Sequence, residues 1–262
     1  MKLFAIFGNP VSHSISPLLH NSVIENFKEE ACYGRYLLKN GDLLKEKFLF
    51  LKLKGVNVTV PHKEAAFRAC DEVRGIAKEI EAVNTIVNEN GKLIGYNTDA
   101  PGFYESIKDF RGVKKILILG AGGTAKAISL FLKKEGFEVE ILNRSENRLN
   151  FFKEKGFRTF NWESFEISKY DLIVNTTSAG LSDNCLPVRE NVLDALMKEV
   201  KYAVDVIYNK KTPFLKKAID FNLSYKDGRD MLIYQAVIAF EYFFDKKYKR
   251  KNILEQMKKV IS

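Results

Sequence analysis

Short continuous apolar runs alternate with amphipathic stretches along this chain. Leu3-Phe4-Ala5-Ile6-Phe7 closes on Gly8 and predicts a short buried strand. A polar loop from Asn9 to Ile15 follows. Ser16-Pro17 then predicts a helix start, with Ser16 as N-cap, Pro17 at the first helical position, and Leu18, Leu19, Val23 and Phe27 as its apolar stripe. Cys32 to Leu38 predicts a second strand and Asp42 to Leu53 a second helix, with Gly55 beyond it. Val56 to Val60 is a strand running into Pro61, and Lys63 to Ala69 is helical. Asn84 to Val87 and Lys92 to Tyr96 flank Asn90-Gly91, a dipeptide that signals a hairpin between apolar runs. A helix follows Asn97-Thr98-Asp99 and reaches about Phe110.

A second pattern begins at Lys114. Ile116-Leu117-Ile118-Leu119 is apolar throughout, as a parallel strand covered on both faces should be. The helix from Thr124 to Glu135 ends at Gly136, a residue suited to a left-handed cap. Val139 to Leu142, Asp171 to Asn175 and Tyr202 to Val206 predict further strands, and Glu146 to Lys155 a helix ending at Gly156. This alternation predicts a doubly wound parallel sheet. Two last helices, about Asp230 to Phe244 and Ile253 to Ile261, have no strand after them and can return to the first half. The expected architecture is therefore α/β with two domains. Residues 101–232 form a Rossmann-type domain, and residues 1–100 form an α/β substrate domain completed by residues 233–262. The active site is expected in the cleft between them, with closure excluding water.

Composition narrows the classes. At 262 residues, 46% apolar and 29% charged, the chain suits a globular protein of two domains. The best membrane-span candidate, Met231 to Phe244, contains Gln235 and Glu241 and is too short. The N-terminus has no signal-peptide pattern. The three cysteines and three histidines are scattered, with no metal-ligand spacing. A reducing cytoplasm and no metal are expected. The formal charge of +9 is spread over helix faces. Its densest run, Lys246-Lys247-Tyr248-Lys249-Arg250-Lys251, reads as a solvated connector. No nucleic-acid-binding module accompanies the charge.

The most specific chemistry lies at Gly120-Ala121-Gly122-Gly123-Thr124-Ala125, between a strand and a helix. Gly120 permits the tight turn, Gly122 admits the backbone to a pyrophosphate, and Ala125 takes the third glycine's place where helix meets strand. The helix N-terminus supplies N–H groups to the phosphates. A glycine-rich turn without a ligand is the bland alternative. An NAD enzyme carries an acid at the end of the next strand to hold the ribose 2′-hydroxyl. Here that position reads Asn143-Arg144-Ser145, and Glu140 lies too early, inside the strand. Arg144 and Arg148 can clamp a 2′-phosphate, so the expected cofactor is NADP. Alternatively both are surface arginines of the following helix.

The first half also places polar residues at the ends of apolar segments: Ser12 to Ser16, Asn57 to Lys63, Ala82 to Thr85 and Asn97 to Asp99. Each has a bland reading as a cap or turn. Asp99, for example, suits an N-cap. In order along the chain these motifs resemble the shikimate dehydrogenase family. The resemblance is carried by Phe7-Gly8-Asn9-Pro10, Ser14-x-Ser16-Pro17, Asn57-Val58-Thr59-Val60-Pro61-x-Lys63, Ala82-Val83-Asn84-Thr85 and Gly95-x-Asn97-Thr98-Asp99-x-x-Gly102. It continues through the glycine loop, Asn143-Arg144-Ser145, Asn175-x-Thr177-Ser178-x-Gly180, Thr212-Pro213-Phe214-Leu215 and Asp227-Gly228-x-x-Met231-Leu232-x-x-Gln235.

The resemblance implies reversible NADP-dependent reduction of 3-dehydroshikimate to shikimate, on the route to aromatic amino acids. It implies Lys63 and Asp99 as the catalytic pair. Ser14, Ser16, Thr59, Asn84, Asp99, Tyr208 and Gln235 line the substrate. Gly120, Ala121, Gly122, Gly123, Thr124, Asn143, Arg144, Ser145 and Arg148 hold the cofactor, with Val206 and Gly228 near the nicotinamide. Hydroxyls suit a carboxylate, and amides read alcohols in either sense. A lysine beside a carboxylate stays protonated and suits an acid better than a base. His62, where the family often has an aromatic, adjoins Lys63 but faces elsewhere, since adjacent helical residues diverge. The implied partner is a small molecule, with neither nucleic acid nor membrane, and a monomer or homodimer. The rival readings are a quinate or dual quinate/shikimate dehydrogenase and a non-catalytic ligand sensor of the same fold.

Overall fold

The structure, a computed structural model, describes residues 1–261. Its contacts divide the chain into two units, Met1–Gly102 with the segment from Ile233 onward, and Phe103–Leu232. The strands of the first unit are β1 (Lys2–Gly8), β2 (Ala31–Leu37), β3 (Gly55–Val58), β4 (Glu72–Val73), β5 (Thr85–Glu89) and β6 (Lys92–Tyr96). Its helices are α1 (Ser16–Asn26), α2 (Leu44–Phe50), α3 (Lys63–Ala69), α4 (Ala77–Ile80) and the start of α5 (Asp99–Ile107). The sheet order is β2-β1-β3-β5-β6-β4. β2, β1 and β3 run parallel, whereas β5 is antiparallel to both β3 and β6. This reversal has a functional consequence. The C-terminal ends of β1, β3 and β6 share one end of the sheet with the start of β5, and the polar motifs leave the sheet at those four points.

Local chemistry explains these boundaries. Asn90 and Gly91 both take positive φ, 53° and 88°, as a two-residue hairpin loop requires. Ser16 does not cap α1. Ile15 precedes the helix, and Ser16 is its first residue, with its N–H donated to Ser14 Oγ at 3.3 Å. The helix expected over 42–53 is shorter. A 3₁₀ turn at Gly41–Leu43, held by Asn40 Oδ1 accepting from the Asp42 N–H, leads into α2, and Lys52 leaves the helix with φ at 51°. Phe7, Leu44, Phe48, Val56 and Ile86 are wholly buried in this unit's core, each large side chain contributing about 1.5–3 kcal/mol by leaving water.

The second unit carries β7 (Lys115–Leu119), α6 (Gly123–Lys134), β8 (Glu138–Leu142), α7 (Asn150–Glu154), β9 (Arg158–Phe160), β10 (Leu172–Asn175), α8 (Glu190–Glu199), β11 (Tyr202–Asp205), α9 (Pro213–Asp220) and β12 (Ser224–Lys226). α10 (Arg229–Phe243) starts here and continues into the first unit, followed there by α11 (Arg250–Lys259). All six strands are parallel, in the order β12-β11-β10-β7-β8-β9. This is the doubly wound order, with the chain reversing direction between β7 and β10. Gly136 and Gly156 adopt the left-handed φ expected of helix ends. The basic run before α11 is not merely solvated, because Lys247 and Tyr248 both bond Glu29, and Arg250 bonds Glu241. Among the described residues, no helix is long and apolar enough to cross a membrane.

Candidate active site

At the polar end of the first sheet, α3 and α5 both begin. Each opens on an ionisable side chain, Lys63 and Asp99, and Lys63 Nζ donates to Asp99 Oδ2 at 2.6 Å. Asp99 is not the cap of α5. Asn97 Oδ1 accepts the N–H groups of Asp99 and Ala100, at 3.1 and 3.3 Å. That leaves the Asp99 carboxylate in the first turn, facing the helix's positive end, and free to hold Lys63. The two side chains are 27% and 16% exposed, so the pair is sheltered yet open to a small molecule. His62 takes no part. It is buried, with Nε2 2.6 Å from the Leu38 carbonyl.

A buried polar network lies beside this pair. Asn84 Oδ1 accepts the Thr98 N–H at 2.8 Å, and Asn84 Nδ2 donates to Thr98 Oγ1 at 3.1 Å. Thr98 Oγ1 also lies 3.5 Å from Gln235 Oε1. α10 can come this close because Gly102 has no side chain: a Cβ there would sit 2.7 Å from the Gln235 nitrogen. Ser14 and Ser16 are buried with their hydroxyls 3.2 Å apart. Thr59 follows β3 and is half-buried, its N–H donated to the Phe7 carbonyl at 2.9 Å. Gly8 makes room for it, since a Cβ there would lie 2.3 Å from Thr59 Cγ2.

The second unit encloses a cavity of about 550 Å³ at the ends of β7, β8 and β10, where the sheet order reverses. Gly120, Ala121, Gly122, Asn143, Arg144, Ser145 and Arg148 line it, along with Trp162 and Thr176 to Ala179. Gly120 has φ +108°, and a Cβ there would meet Thr176 Oγ1 at 2.8 Å. Gly122 and Gly123 border open space. Gly122 caps α6 without a side chain, so the cap itself offers no side-chain acceptor to the first-turn N–H groups, Thr124 among them. The helix packs through the wholly buried Ala125.

The electrostatics around this cavity suit an anion. Arg144 and Arg148 are exposed and form no ion pair among the described residues, while Glu146 between them is held by Lys153 and by Asn161 Nδ2 at 3.0 Å. Glu140 is buried and tied to Lys115, Arg158 and Tyr170. Asp183 also lines the cavity, but its Oδ1 accepts two backbone N–H groups, from Gly180 and Cys185, which hold its carboxyl below the ordinary range. Open glycines, an uncapped helix and two unpaired guanidiniums fit a phosphate-bearing dinucleotide.

Val206 and Gly228 lie outside that lining and touch each other instead. A Cβ on Gly228 would fall 2.1 Å from the Val206 carbonyl oxygen. Buried Asp205 anchors this turn by accepting from Asn175 Nδ2, Thr212 Oγ1 and the Ile207 N–H, and burial raises its carboxyl above the usual value. Tyr208 is half-buried, and desolvation raises its phenol. Two participants, Tyr33 and Arg35, escaped the sequence reading. Tyr33 donates to Asn57 Oδ1 at 2.7 Å, and Asn57 Nδ2 donates to Thr85 Oγ1 at 3.0 Å, extending the network below Asn84. Arg35 bonds the Ser14 carbonyl. An asparagine inside the apolar run Val56 to Val60 was a usable signal, whereas Tyr33 and Arg35 gave none.

Comparison with known proteins bears on all of this. Residues 6–86 match the family model described as the shikimate dehydrogenase substrate binding domain. The chain is 47% identical over 255 residues to shikimate dehydrogenase (NADP(+)) of Helicobacter hepaticus, covering 97% of this chain and 95% of that one. It is 46% identical over 266 residues to the Helicobacter pylori J99 enzyme of the same name, covering 99% of each. Among solved structures, shikimate 5-dehydrogenase from Thermus thermophilus, in complex with NADP(H) and shikimate, superposes with a TM-score of 0.86. It is 33% identical, covering 99% of this chain and all of that one.

Proposed function

The chain belongs to the shikimate dehydrogenase family, and on that premise we propose that Lys63 and Asp99 are its catalytic pair in the NADP-dependent interconversion of 3-dehydroshikimate and shikimate. The observation that carries the reading is the 2.6 Å Lys63–Asp99 contact at the end of the first sheet, where the other polar motifs of that unit emerge.

The bound nicotinamide supplies hydride chemistry, and the residues of this chain bind, orient and move a proton. Lys63 is the acid. As the carbonyl oxygen gains charge during reduction, the Nζ ammonium donates a proton to it, and in the reverse direction Nζ receives the hydroxyl proton. Asp99 holds Nζ in place and accepts from a neighbouring substrate hydroxyl. Ser14 and Ser16 hold the substrate carboxylate through their paired hydroxyls. Asn84, Thr59 and Gln235 read ring hydroxyls, and Thr98 fixes the Asn84 amide so that it presents one orientation. Gly120 to Thr124 hold the pyrophosphate, and Asn143 to Arg148 hold the 2′-phosphate. Val206 and Gly228 shape the turn at the nicotinamide.

The setting this implies is cytoplasmic, with a small molecule rather than a nucleic acid as partner. Absorbance at 340 nm with NADP, and with shikimate or quinate as substrate, tests the reading. Reduction with shikimate supports it, and a protein silent with shikimate overturns it.

A further inference from the structure

Ser14 and Ser16 are neutral, yet the group assigned to them is an anion. A fixed cation, Arg35 at the end of β2, stands directly behind them. Its Nε and Nη2 both donate to the Ser14 carbonyl oxygen, at 2.9 and 2.7 Å. Ser14 is thus gripped at both ends, because its Oγ accepts the Ser16 N–H and bonds the Ser16 hydroxyl. No carboxylate pairs with Arg35 among the described residues, although most of the other arginines in this unit are engaged: Arg74 with Glu72 and Glu89, and Arg250 with Glu241. A guanidinium spent on one neutral carbonyl keeps its full charge beside the serine loop.

We propose that Arg35 is a positioning residue for the carboxylate end of the substrate. By locking the Ser14 carbonyl it aims the Ser14 hydroxyl, and its unpaired charge selects the anionic acid over neutral analogues. This rests on the reading that Ser14 holds the carboxylate. Arg35 acts through Ser14, so its loss should weaken substrate binding and leave the proton donor at Lys63 untouched.

The experiment compares wild type, Arg35→Met, Arg35→Lys, Ser14→Ala and the Arg35→Met/Ser14→Ala double variant. KM and kcat are measured with shikimate and with its methyl ester, alongside KM for NADP and thermal unfolding. Arg35 is exposed, so its variants keep the core intact. Arg35→Met should raise KM for shikimate about tenfold, keep kcat within about twofold, and leave KM for NADP unchanged, as expected when one charge-assisted contact is lost. Arg35→Lys should recover part of the loss. The preference for acid over ester should shrink in Arg35→Met, and the two substitutions should be less than additive. Wild-type KM in Arg35→Met, equal losses on acid and ester, or full additivity with Ser14→Ala each overturn the proposal. A Ser14→Ala variant with wild-type KM for shikimate instead overturns the underlying assignment of Ser14, whatever Arg35 does.

Discussion

Acid should attack the first unit through His20. This ring is 1% exposed, stacks on Tyr33 with centroids 4.3 Å apart, and contacts Phe240 and Phe243. Neither ring nitrogen makes a hydrogen bond. Burial pushes its pKa from 6.5 down to about 3, and the polar Asn57 beside it offsets only part of that. In the unfolded chain the imidazole takes a proton near pH 6.5, whereas in the folded state it does so only near pH 3. The unfolded state therefore binds more protons as pH falls, and stability present above pH 6.5 is lost towards pH 3. Across the whole interval this amounts to about 5 kcal/mol, and between pH 7 and pH 5 to about 2 kcal/mol. That is a large share of a typical domain's stability. His20→Leu removes the titrating group and keeps a similar volume, so the variant should stay folded at pH 7. Urea unfolding followed by circular dichroism at both pH values is the assay, with amide exchange in β1 and β3 assigning the transition to this unit. Wild type should lose about 2 kcal/mol more than His20→Leu on going to pH 5. Equal losses in the two proteins would strip His20 of this role.

Two further outcomes concern the second unit. Arg144→Ala and Arg148→Ala should each raise KM for NADP by about 10- to 100-fold, the worth of one charge-assisted phosphate contact, while KM for NAD stays flat; a parallel rise for both cofactors would detach these arginines from the 2′-phosphate. Gly228→Ala must displace the Val206 carbonyl, and overpacking of this kind costs about 1–3 kcal/mol. Calorimetry should show the second unit melting several degrees lower, and an unchanged Tm would mean the turn is slack.

What could be read from the chain was whatever depends on near neighbours. The apolar strand at 116–119, the glycines after it and the Asn90-Gly91 turn are local signals, and they gave the parallel sheet, the loop at its end and the hairpin. Caps were harder, because they turn on backbone angles that composition does not encode. Ile15, rather than Ser16, precedes α1, and Asn97 caps α5 in place of Asp99. Edge strands such as β9 and β12 are three residues each, half exposed, and too short for a periodic signal. Contacts made across the fold were invisible. Nothing near Arg35 or Tyr33 in sequence announces Ser14 or Asn57, which lie 21 and 24 residues away.

The proposed mechanism stands or falls on Lys63, held by Asp99, moving the proton while other residues bind. The decisive quantity is kcat of Lys63→Met with shikimate and NADP, read beside NADPH affinity from the fluorescence of the bound nucleotide. Loss of the general acid should lower kcat by about 10²- to 10⁴-fold, with NADPH affinity unchanged. A Lys63→Met enzyme with near-wild-type kcat would contradict the assignment.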